Sequence, residues 1–325
     1  MMARAFWTVA PGQGVLRDEV LPPRAPDQAL VRCLATAISR GTERLVFTGR
    51  VPESQWAAMA CPMMQGAFPF PVKYGYAAVG LVEDGPEALL GRRVFVLHPH
   101  QDRFLAPAGM CALVPDGVPD ARATLAANME TALNIVWDAR PVPGERVLVI
   151  GAGVVGLLAA YLLSRFPGID LVLCDSDPGR AALAASLGLR FCLPDAATQA
   201  HELIVHASAN PEGLRLALRS AAFEARILEA SWFGDTVCNL PLGEAFHSRR
   251  LSLISTQVGA VSPVMRGRRS YAERLGLALS LLDDPRLDAL IGTPTAFADL
   301  PARMAGLLGL DGGPAGAPCP VVTYA

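Results

Sequence analysis

The stretch VLVIGAGVVG, residues 147–156, decides how this chain of 325 residues folds. It is a short apolar run followed by three glycines in the order Gly-x-Gly-x-x-Gly. The apolar run Arg146–Ile150 predicts a buried strand, and Val154–Arg165 has the length and apolar content of a helix. A strand, a glycine turn and a helix in this order are typical of a βαβ unit that binds a dinucleotide.

Each glycine of this turn has a physical task. Gly151 permits the tight turn out of the strand, Gly153 lets the backbone approach a pyrophosphate, and Gly156 lets the helix pack closely on the strand. Val154 and Val155 begin the helix, whose free N–H groups and positive end attract phosphate. The turn therefore predicts a dinucleotide site, with the similar turn of S-adenosylmethionine enzymes as the alternative.

An acidic residue supports the choice of dinucleotide. Asp175 follows a second predicted strand, Asp170–Cys174, and lies 19 positions after Gly156. A carboxylate there accepts hydrogen bonds from an adenosine ribose and repels a 2′-phosphate, so NAD is favoured over NADP. Ser176 and Arg180 keep NADP open, because both side chains could reach a phosphate.

The whole chain falls into three stretches, and the glycine turn lies in the second. Residues 1–120 are rich in Pro and Gly with short apolar runs, which predicts an irregular β domain. Residues 121–285 alternate strands with helices, which predicts a doubly wound parallel sheet. Residues 286–325 are expected to be loop-rich, with a surface loop at 311–318 and a final strand at Pro320–Tyr324. The other predicted elements are strands at Gln28–Cys33, Ala77–Val82, Arg93–Leu97, Leu203–Ala207, Arg226–Ala230 and Leu251–Thr256 and helices at Pro178–Gly188, Pro211–Ala222 and Tyr271–Leu282.

Composition narrows the class of protein. The net charge is −2 and the basic cluster 266–269 is short, so no nucleic-acid partner is expected. The sequence has no long apolar run without charge, so no membrane span is expected. The N-terminus does not have the pattern of a leader. The seven cysteines are scattered and form no Cys-x-x-Cys pair, which indicates reduced thiols in a cytoplasmic protein.

Ordered motifs resemble the medium-chain dehydrogenase/reductase superfamily, the zinc alcohol dehydrogenase-like proteins. They are ISRGTE at 38–43, KYGYAAVG at 73–80, NMETA at 128–132, the glycine turn and Asp175. The resemblance implies a GroES-like catalytic domain from residues 1–120 and 286–325, a Rossmann domain from residues 121–285, and a cofactor between them. It also implies a small-molecule substrate and a homodimer, and the branch suggested is that of the bacteriochlorophyllide dehydrogenases.

The departures from the family pattern concern its catalytic zinc. The resemblance assigns the three zinc ligands to Arg40, Tyr76 and Ala127, where zinc-dependent members carry cysteine, histidine and cysteine. A guanidinium stays protonated and cannot bind zinc. Cys111 stands alone where the family has a four-cysteine lobe. The residues therefore predict a protein without zinc.

Positive charge or a hydrogen-bond donor must then replace the metal. We expect Tyr76 and Thr42 to handle the proton and Arg40 to supply charge or hold an anionic substrate. Three alternatives stay open. Tyr76 could fill the vacated space, Arg40 could pair with Glu43 or Glu130, and Thr42 could satisfy a local turn.

Further cofactor contacts follow from the resemblance and from the rule that open α/β sheets bind ligands at the carboxyl ends of their strands. The resemblance places Thr131 near the nicotinamide, and strand ends place Ser208, Trp232 and Gln257 beside the cofactor.

Other polar residues near these motifs have simpler expectations. His98 and His100 could form a metal pair if they lie on one strand, although a hydrogen-bonding role is favoured. Lys73 and Tyr74 could face the substrate, although exposure to solvent is favoured.

These observations predict a zinc-independent oxidoreductase that transfers hydride between NAD(H) and a small alcohol or ketone. The alternatives are an NAD(P)H-dependent reductase of an activated C=C or C=N bond and a non-catalytic protein that binds the dinucleotide.

Overall fold

A computed structural model describes residues 1–312 and 316–325, so the loop expected at 311–318 lies partly outside the described residues. The α-helices are α1 Arg40–Phe47, α2 Trp56–Met59, α3 Asp120–Ala123, α4 Ala126–Ala139, α5 Val154–Leu163, α6 Arg180–Ser186, α7 Pro211–Ser220, α8 Tyr271–Ser280 and α9 Leu300–Leu307. The strands are β1 Met2–Ala10, β2 Gln13–Val20, β3 Gln28–Ala37, β4 Gln65–Gly66, β5 Val72–Lys73, β6 Ala78–Asp84, β7 Arg93–Val96, β8 Arg103–Pro107, β9 Ala112–Leu113, β10 Arg146–Ile150, β11 Asp170–Cys174, β12 Arg190–Cys192, β13 His201–His206, β14 Ala221–Glu229, β15 Ser252–Ser255, β16 Thr295–Ala296 and β17 Val321–Thr323.

The chain divides into two compact units. The first contains residues 1–127 and 275–325, and the second contains residues 128–274. The sequence placed these limits after residues 120 and 285. The difference arises because Arg122 binds within the first unit, where its Nη2 lies 2.7 Å from Asp288 Oδ2 and its Nη1 lies 3.4 Å from the Leu282 carbonyl oxygen.

The first unit is built from two β-sheets. One has the order β2-β1-β5-β4, and the other has the order β16-β17-β3-β6-β7-β9 with β8 also paired to β3. The C-terminal strand β17 runs antiparallel to β3, with Val321 opposite Ala37. The final strand predicted at Pro320–Tyr324 is thus confirmed. The tail is less loop-rich than expected, since it also contains α9.

The second unit is a single parallel sheet with the order β12-β11-β10-β13-β14-β15. Counted along this unit, the order is third, second, first, fourth, fifth, sixth, which is that of a doubly wound Rossmann sheet. The predicted fold class, an α/β protein with a Rossmann sheet and a β-rich unit, is confirmed. The strand β12 was missed because it has three residues and begins with an exposed arginine.

Helix α5 follows the glycine turn and is buried over nearly its whole length. It is apolar all round, as expected for a helix enclosed by its surroundings. Helix α6 begins at Arg180 rather than at Pro178, and Gly188 follows its end with a φ of +72°. No helix in the described ranges is long and apolar enough to cross a membrane.

Candidate functional site

Two glycines of the turn are required by the fold itself. Gly151 has a φ of +106°, and a Cβ built on it would lie 2.9 Å from backbone atoms of Ala207 and Ser208. A Cβ on Gly156 would overlap the carbonyl oxygen of Gly151. Both positions are therefore closed to any side chain by neighbouring backbone, as predicted for the turn out of the strand and for the contact of α5 with it.

Gly153 differs from its two neighbours. It caps the N-terminus of α5 with an ordinary φ of −74° and without a side-chain capping bond. A Cβ on Gly153 would meet no described heavy atom within 4 Å. Nothing in the described part of the protein requires a glycine here, so the missing side chain leaves room for a ligand to approach the backbone. The N–H groups at this end of α5 suit a pyrophosphate.

Asp175 ties the end of β11 to the glycine turn. Its Oδ2 accepts a hydrogen bond of 2.6 Å from Ala152 N, and its Oδ1 accepts one of 2.9 Å from Asp177 N. The side chain is half-buried, Ser176 is exposed, and the Arg180 Nε lies 3.3 Å from Asp177 Oδ2. A carboxylate oxygen has more than one lone pair, so these backbone bonds leave Asp175 able to accept from a ribose.

The other predicted cofactor residues also lie in the second unit. Ser208, Trp232 and Gln257 follow β13, β14 and β15, and Thr131 lies on α4. Because β13, β14 and β15 run parallel to β10 in one sheet, their carboxyl ends lie at the same edge of the sheet as the glycine turn. Gln257 is held there by a bond of 2.6 Å from Gly259 N to its Oε1.

A buried arginine holds the segment that follows β15. Arg274 is 2% exposed and donates to Glu130 Oε1 at 3.0 Å, to Asn134 Oδ1 at 2.8 Å and to the Val258 carbonyl oxygen at 2.6 Å. Burial raises the pKa of Glu130, and Arg274 opposes that rise. Glu130 is thus the partner of Arg274, a pairing the sequence analysis did not anticipate when it considered Arg40.

In the first unit, the structure brings Tyr76 and Thr42 together. The Tyr76 hydroxyl hydrogen-bonds with the side chains of Thr42 and Ser39, which flank the start of α1. Burial raises the pKa of the Tyr76 phenol more than these two bonds lower it. The phenol is therefore neutral around pH 7 and can act as a hydrogen-bond donor.

Arg40 is directed toward the backbone of the C-terminal tail. Its Nε donates to the Leu307 carbonyl oxygen at 2.7 Å, and its Nη1 lies 3.4 Å from the Gly316 carbonyl oxygen. These bonds give Arg40 a structural task at the end of α9, which the sequence analysis did not foresee. They provide no support for the prediction that Arg40 supplies charge to a substrate.

The residues at the three positions that the resemblance assigns to zinc ligands do not fit a zinc ion. Arg40 is protonated, Ala127 has no donor atom, and Tyr76 is a neutral phenol that bonds to hydroxyl groups. Cys61 is nearby, but burial raises the pKa of its thiol to about 12 and its Sγ donates to the Gly75 carbonyl oxygen at 3.3 Å. Among the described residues, no group of three or more His, Cys, Asp or Glu could hold a metal.

The two neighbouring histidines have separate hydrogen-bonding roles. His100 is buried and bonds through Nε2 to Glu43 Oε2 at 2.9 Å and through Nδ1 to Thr36 Oγ1 at 2.6 Å. His98 stacks on Phe104 with ring centroids 3.7 Å apart, and burial lowers its pKa to about 3. His98 Nδ1 also lies 2.9 Å from the Pro99 carbonyl oxygen, so the contacts of both histidines agree with the favoured hydrogen-bonding role and give no support to a metal pair.

Lys73 and Tyr74 are buried, so the expectation that they face solvent is wrong. Lys73 is 1% exposed, and its Nζ donates to Glu19 Oε2 at 2.7 Å and to Gln101 Oε1 at 2.8 Å. Burial lowers the pKa of Lys73, and Glu19 raises it. A buried ammonium is tolerated because both acceptors replace its lost water.

His206, Ser208 and Glu229 form a polar cluster beside the glycine turn that the sequence did not predict. His206 and Glu229 are the last residues of β13 and β14, and Ser208 follows two positions after His206. His206 lies between the other two side chains, 2.7 Å from Ser208 Oγ and 2.6 Å from Glu229 Oε2. Polar residues at the ends of two predicted buried strands were the pattern that could have revealed it.

Comparison with known proteins gives partial sequence matches. No protein-family model matches the chain. L-threonine 3-dehydrogenase of Chelativorans sp. is 26% identical over 224 residues, which are 58% of this chain and 61% of that protein. An uncharacterized zinc-type alcohol dehydrogenase-like protein of Haemophilus influenzae is 27% identical over 144 residues, 41% of this chain and 42% of that protein. The chain thus spans less than two thirds of these curated relatives.

Solved structures match over the whole chain. A zinc-binding dehydrogenase of Sinorhizobium meliloti bound to NADP has a TM-score of 0.78 at 16% identity, covering 99% of both chains. Benzyl alcohol dehydrogenase of Acinetobacter calcoaceticus has a TM-score of 0.77 at 16% identity, covering 100% of both chains. At these identities the solved structures establish the fold alone. The chain thus has the fold of these dehydrogenases and is similar in part of its sequence to L-threonine 3-dehydrogenase and to the zinc-type alcohol dehydrogenase-like protein.

Proposed function

We propose that this protein is an NAD(H)-dependent oxidoreductase that interconverts a small alcohol and its ketone without zinc. The observation that carries the proposal is Gly153, whose missing Cβ leaves open space at the N-terminus of α5. The bound dinucleotide would accept or supply the hydride. Gly153 and the first turn of α5 would hold its pyrophosphate, in a turn that Gly151 and Gly156 make possible, with Asp175 at its adenosine ribose.

The preference for NAD rests on charges near the end of β11. The Asp175 carboxylate would repel a 2′-phosphate and accept from a ribose hydroxyl. Arg180, which could have attracted that phosphate, lies 3.3 Å from Asp177 Oδ2, so part of its charge is already compensated. Both features support NAD over NADP.

The proton of the reaction would pass through Tyr76. Reducing a ketone requires a proton at the new alkoxide oxygen, and a neutral phenol can donate one. Thr42 and Ser39 hold the Tyr76 hydroxyl in place and can reprotonate it. These contacts support the predicted pair Tyr76 and Thr42 over the alternative in which Tyr76 only fills space.

The side chains at the positions that the resemblance assigns to zinc ligands support zinc independence. A catalytic zinc in a protein takes three nitrogen, sulfur or oxygen side-chain ligands. Arg40 and Ala127 provide none, so the polarising role would have to come from hydrogen-bond donors.

The test is a hydride-transfer assay on metal-depleted protein. Deuterated NADH is offered with a panel of ketones and a panel of activated alkenes and imines, and the products are analysed by mass spectrometry. We expect deuterium on the carbinol carbon of a ketone product. Transfer only to alkene or imine carbon would replace the proposal by a C=C or C=N reductase, and NADH binding without any transfer would indicate a non-catalytic protein.

We further propose a homodimer formed through the second unit. The strand β15 ends the parallel sheet, and no other described strand pairs with its outer edge. Leu253 on this strand is 38% exposed. An exposed strand edge with an apolar side chain favours pairing with another chain.

All seven cysteines are free thiols, which supports the proposal that the protein works in a reducing compartment such as the cytoplasm.

A further inference from the structure

We propose that a cavity in the second unit, separate from the glycine turn, binds a small organic molecule that carries a phosphate or carboxylate group. The cavity has a volume of about 440 Å³ and lies between the end of α4 and the segment that follows β15. The residues that give it its character are Asp138, Arg140, Arg226, Ile254, Ser262 and Arg266. Of the predicted cofactor residues, Gln257 alone is among those that line it. Binding there would be independent of the proposed hydride transfer.

The cavity opens on the face of the sheet that α4 covers. Arg226 on β14 donates from Nη1 to the Ala139 carbonyl oxygen at 2.6 Å, so its side chain is directed to the end of α4. Leu228, two positions further along β14, shares this face, and Ile254 on β15 is its partner in the register of the sheet. The cavity therefore lies beside the backbone edge of β15 through which a dimer is proposed.

Two arginines at this cavity have no carboxylate partner. The Arg140 side chain makes no hydrogen bond or ion pair within the described part of the chain, and Arg266 makes one hydrogen bond there, from Nε to the Val261 carbonyl oxygen at 3.3 Å. Both residues are exposed. The third arginine, Arg226, forms an ion pair with Glu145. A guanidinium with free terminal N–H groups suits a carboxylate or a phosphate, which it can hold through two parallel hydrogen bonds.

The balance of charge favours an anion. Asp138 also lines the cavity, and its Oδ2 accepts hydrogen bonds from Thr256 Oγ1 at 2.5 Å and from Asn134 Nδ2 at 3.3 Å. Three arginines are thus set against two carboxylates, those of Asp138 and Glu145. The positive charge that remains attracts an anionic group and disfavours a cationic one.

Ser262 contributes a hydroxyl without a partner. The residue lines the cavity and is 1% exposed, and its Oγ has no hydrogen-bond partner among the described residues. Its backbone is fixed, because Ser262 N donates to Asn134 Oδ1 at 3.0 Å and its carbonyl oxygen accepts from Arg266 N at 2.9 Å. Buried hydroxyl groups are normally paired, so an unpaired one in a cavity wall points to a ligand that satisfies it. Rotation about the Cα–Cβ bond lets this hydroxyl turn toward the ligand.

The remaining wall sets the size and character of the ligand. Ile254, Val261 and Pro263 give the cavity an apolar part. Its volume is within the range of about 300–1,000 Å³ that is usual for small-molecule sites. We therefore expect an organic anion with an apolar portion to bind more tightly than inorganic phosphate does.

The test is a calorimetric titration of the whole protein with phenyl phosphate and, in a second series, with benzoate. Each series is run with and without saturating NADH, because a phosphate could also bind at the glycine turn. We expect one saturable site per chain for at least one probe, with an affinity that NADH does not change. Binding of phenyl phosphate alone would identify a phosphate-bearing ligand, and binding of benzoate alone a carboxylate.

Three variants connect this binding to the cavity. Arg266→Gln should weaken binding of the probe about tenfold, because it removes one unpaired guanidinium. Arg268→Gln, which removes an exposed arginine that does not line the cavity, is the matched control and should bind as the wild type does. Ser262→Ala should weaken binding about threefold without lowering the unfolding temperature of the unliganded protein, because no hydrogen bond of that protein is lost.

Three results would overturn the inference. They are no saturable binding of either probe, displacement of the probe by NADH, and equal losses of affinity in Arg266→Gln and Arg268→Gln. None of them bears on whether the protein binds NADH or transfers hydride, so the proposed function would stand or fall separately.

Discussion

The glycine turn of the second unit has the residues expected of a dinucleotide site, whereas the positions in the first unit that the resemblance assigns to zinc ligands lack the expected cysteine and histidine side chains. The turn keeps every part that a pyrophosphate requires, including a glycine at 153 that the described protein around it does not need. The other three positions hold Arg40, Tyr76 and Ala127, and the Tyr76 hydroxyl bonds to Thr42 and Ser39. The comparison teaches that a dinucleotide site and a metal site must each be judged from their own residues, because the fold alone decides neither.

The largest expected effect separates the two kinds of glycine in the turn. Gly156→Val should destabilise the second unit by about 3 kcal/mol or more, because its side chain would overlap the Gly151 carbonyl oxygen. Gly153→Ala should cost within about 1 kcal/mol as a change of capping residue, yet weaken NADH binding at least about tenfold. Thermal unfolding and NADH titration measure the two effects. An equal loss of stability in both variants would show that Gly153, like Gly156, is required by the fold, and Gly153 would then give no evidence for a cofactor site.

The next effect concerns Tyr76, the proposed proton donor of the first unit. Tyr76→Phe should lower kcat for ketone reduction about 100-fold while leaving NADH affinity unchanged, because it removes the proposed proton donor. Since burial raises the pKa of this phenol above its ordinary value near 10, the wild-type rate should show no loss from Tyr76 ionisation at any pH below about 10.

Tyr74→Phe provides the matched control for the tyrosine test. The Tyr74 hydroxyl donates to the Met59 carbonyl oxygen at 3.1 Å, so its loss should affect stability slightly and kcat hardly at all. A Tyr76→Phe enzyme with wild-type kcat would assign the proton to another group and leave Tyr76 as a space-filling residue.

A smaller effect is expected at the ribose carboxylate. Asp175→Ala should weaken NADH binding about tenfold and shift the ratio of affinities toward NADPH, because it removes both an acceptor and a repulsive charge. Asp170→Asn, at the opposite end of β11, is the control and should leave that ratio unchanged. If the NADH to NADPH ratio is the same in Asp175→Ala and wild type, Asp175 only supports the turn through Ala152 N.

The smallest effect is expected from metal removal. Treatment with a chelator should change neither the rate of hydride transfer nor the unfolding temperature, and the purified protein should contain well below about one zinc per chain. Elemental analysis and activity before and after chelation measure this. One tightly bound zinc whose removal abolishes activity would show that the first unit recruits ligands other than the three family positions.

Local patterns predicted the second unit well. The strands β10 and β11 begin and end where the sequence placed them, because a short apolar run between turn residues has one favourable structure in a parallel sheet. The glycine turn was also predicted, since its requirements are local. The short strand β12 was not, because three residues with an exposed arginine resemble a loop.

Long-range contacts explain what the sequence could not predict. Arg40 bonds to Leu307, and Arg274 bonds to Glu130, partners separated by 267 and 144 positions. The burial of Lys73 depends on Glu19, which lies on another strand. Which charged side chain finds which partner is decided by tertiary packing, so residue types and spacing in the motifs were insufficient.

The most direct test of the account is a calorimetric titration of the wild-type protein with NADH. We expect one saturable site per chain with an affinity in the micromolar range, and a clearly weaker site in Gly153→Ala. Absence of measurable binding of both NADH and NADPH would contradict it, because the open space at Gly153 would then serve no dinucleotide.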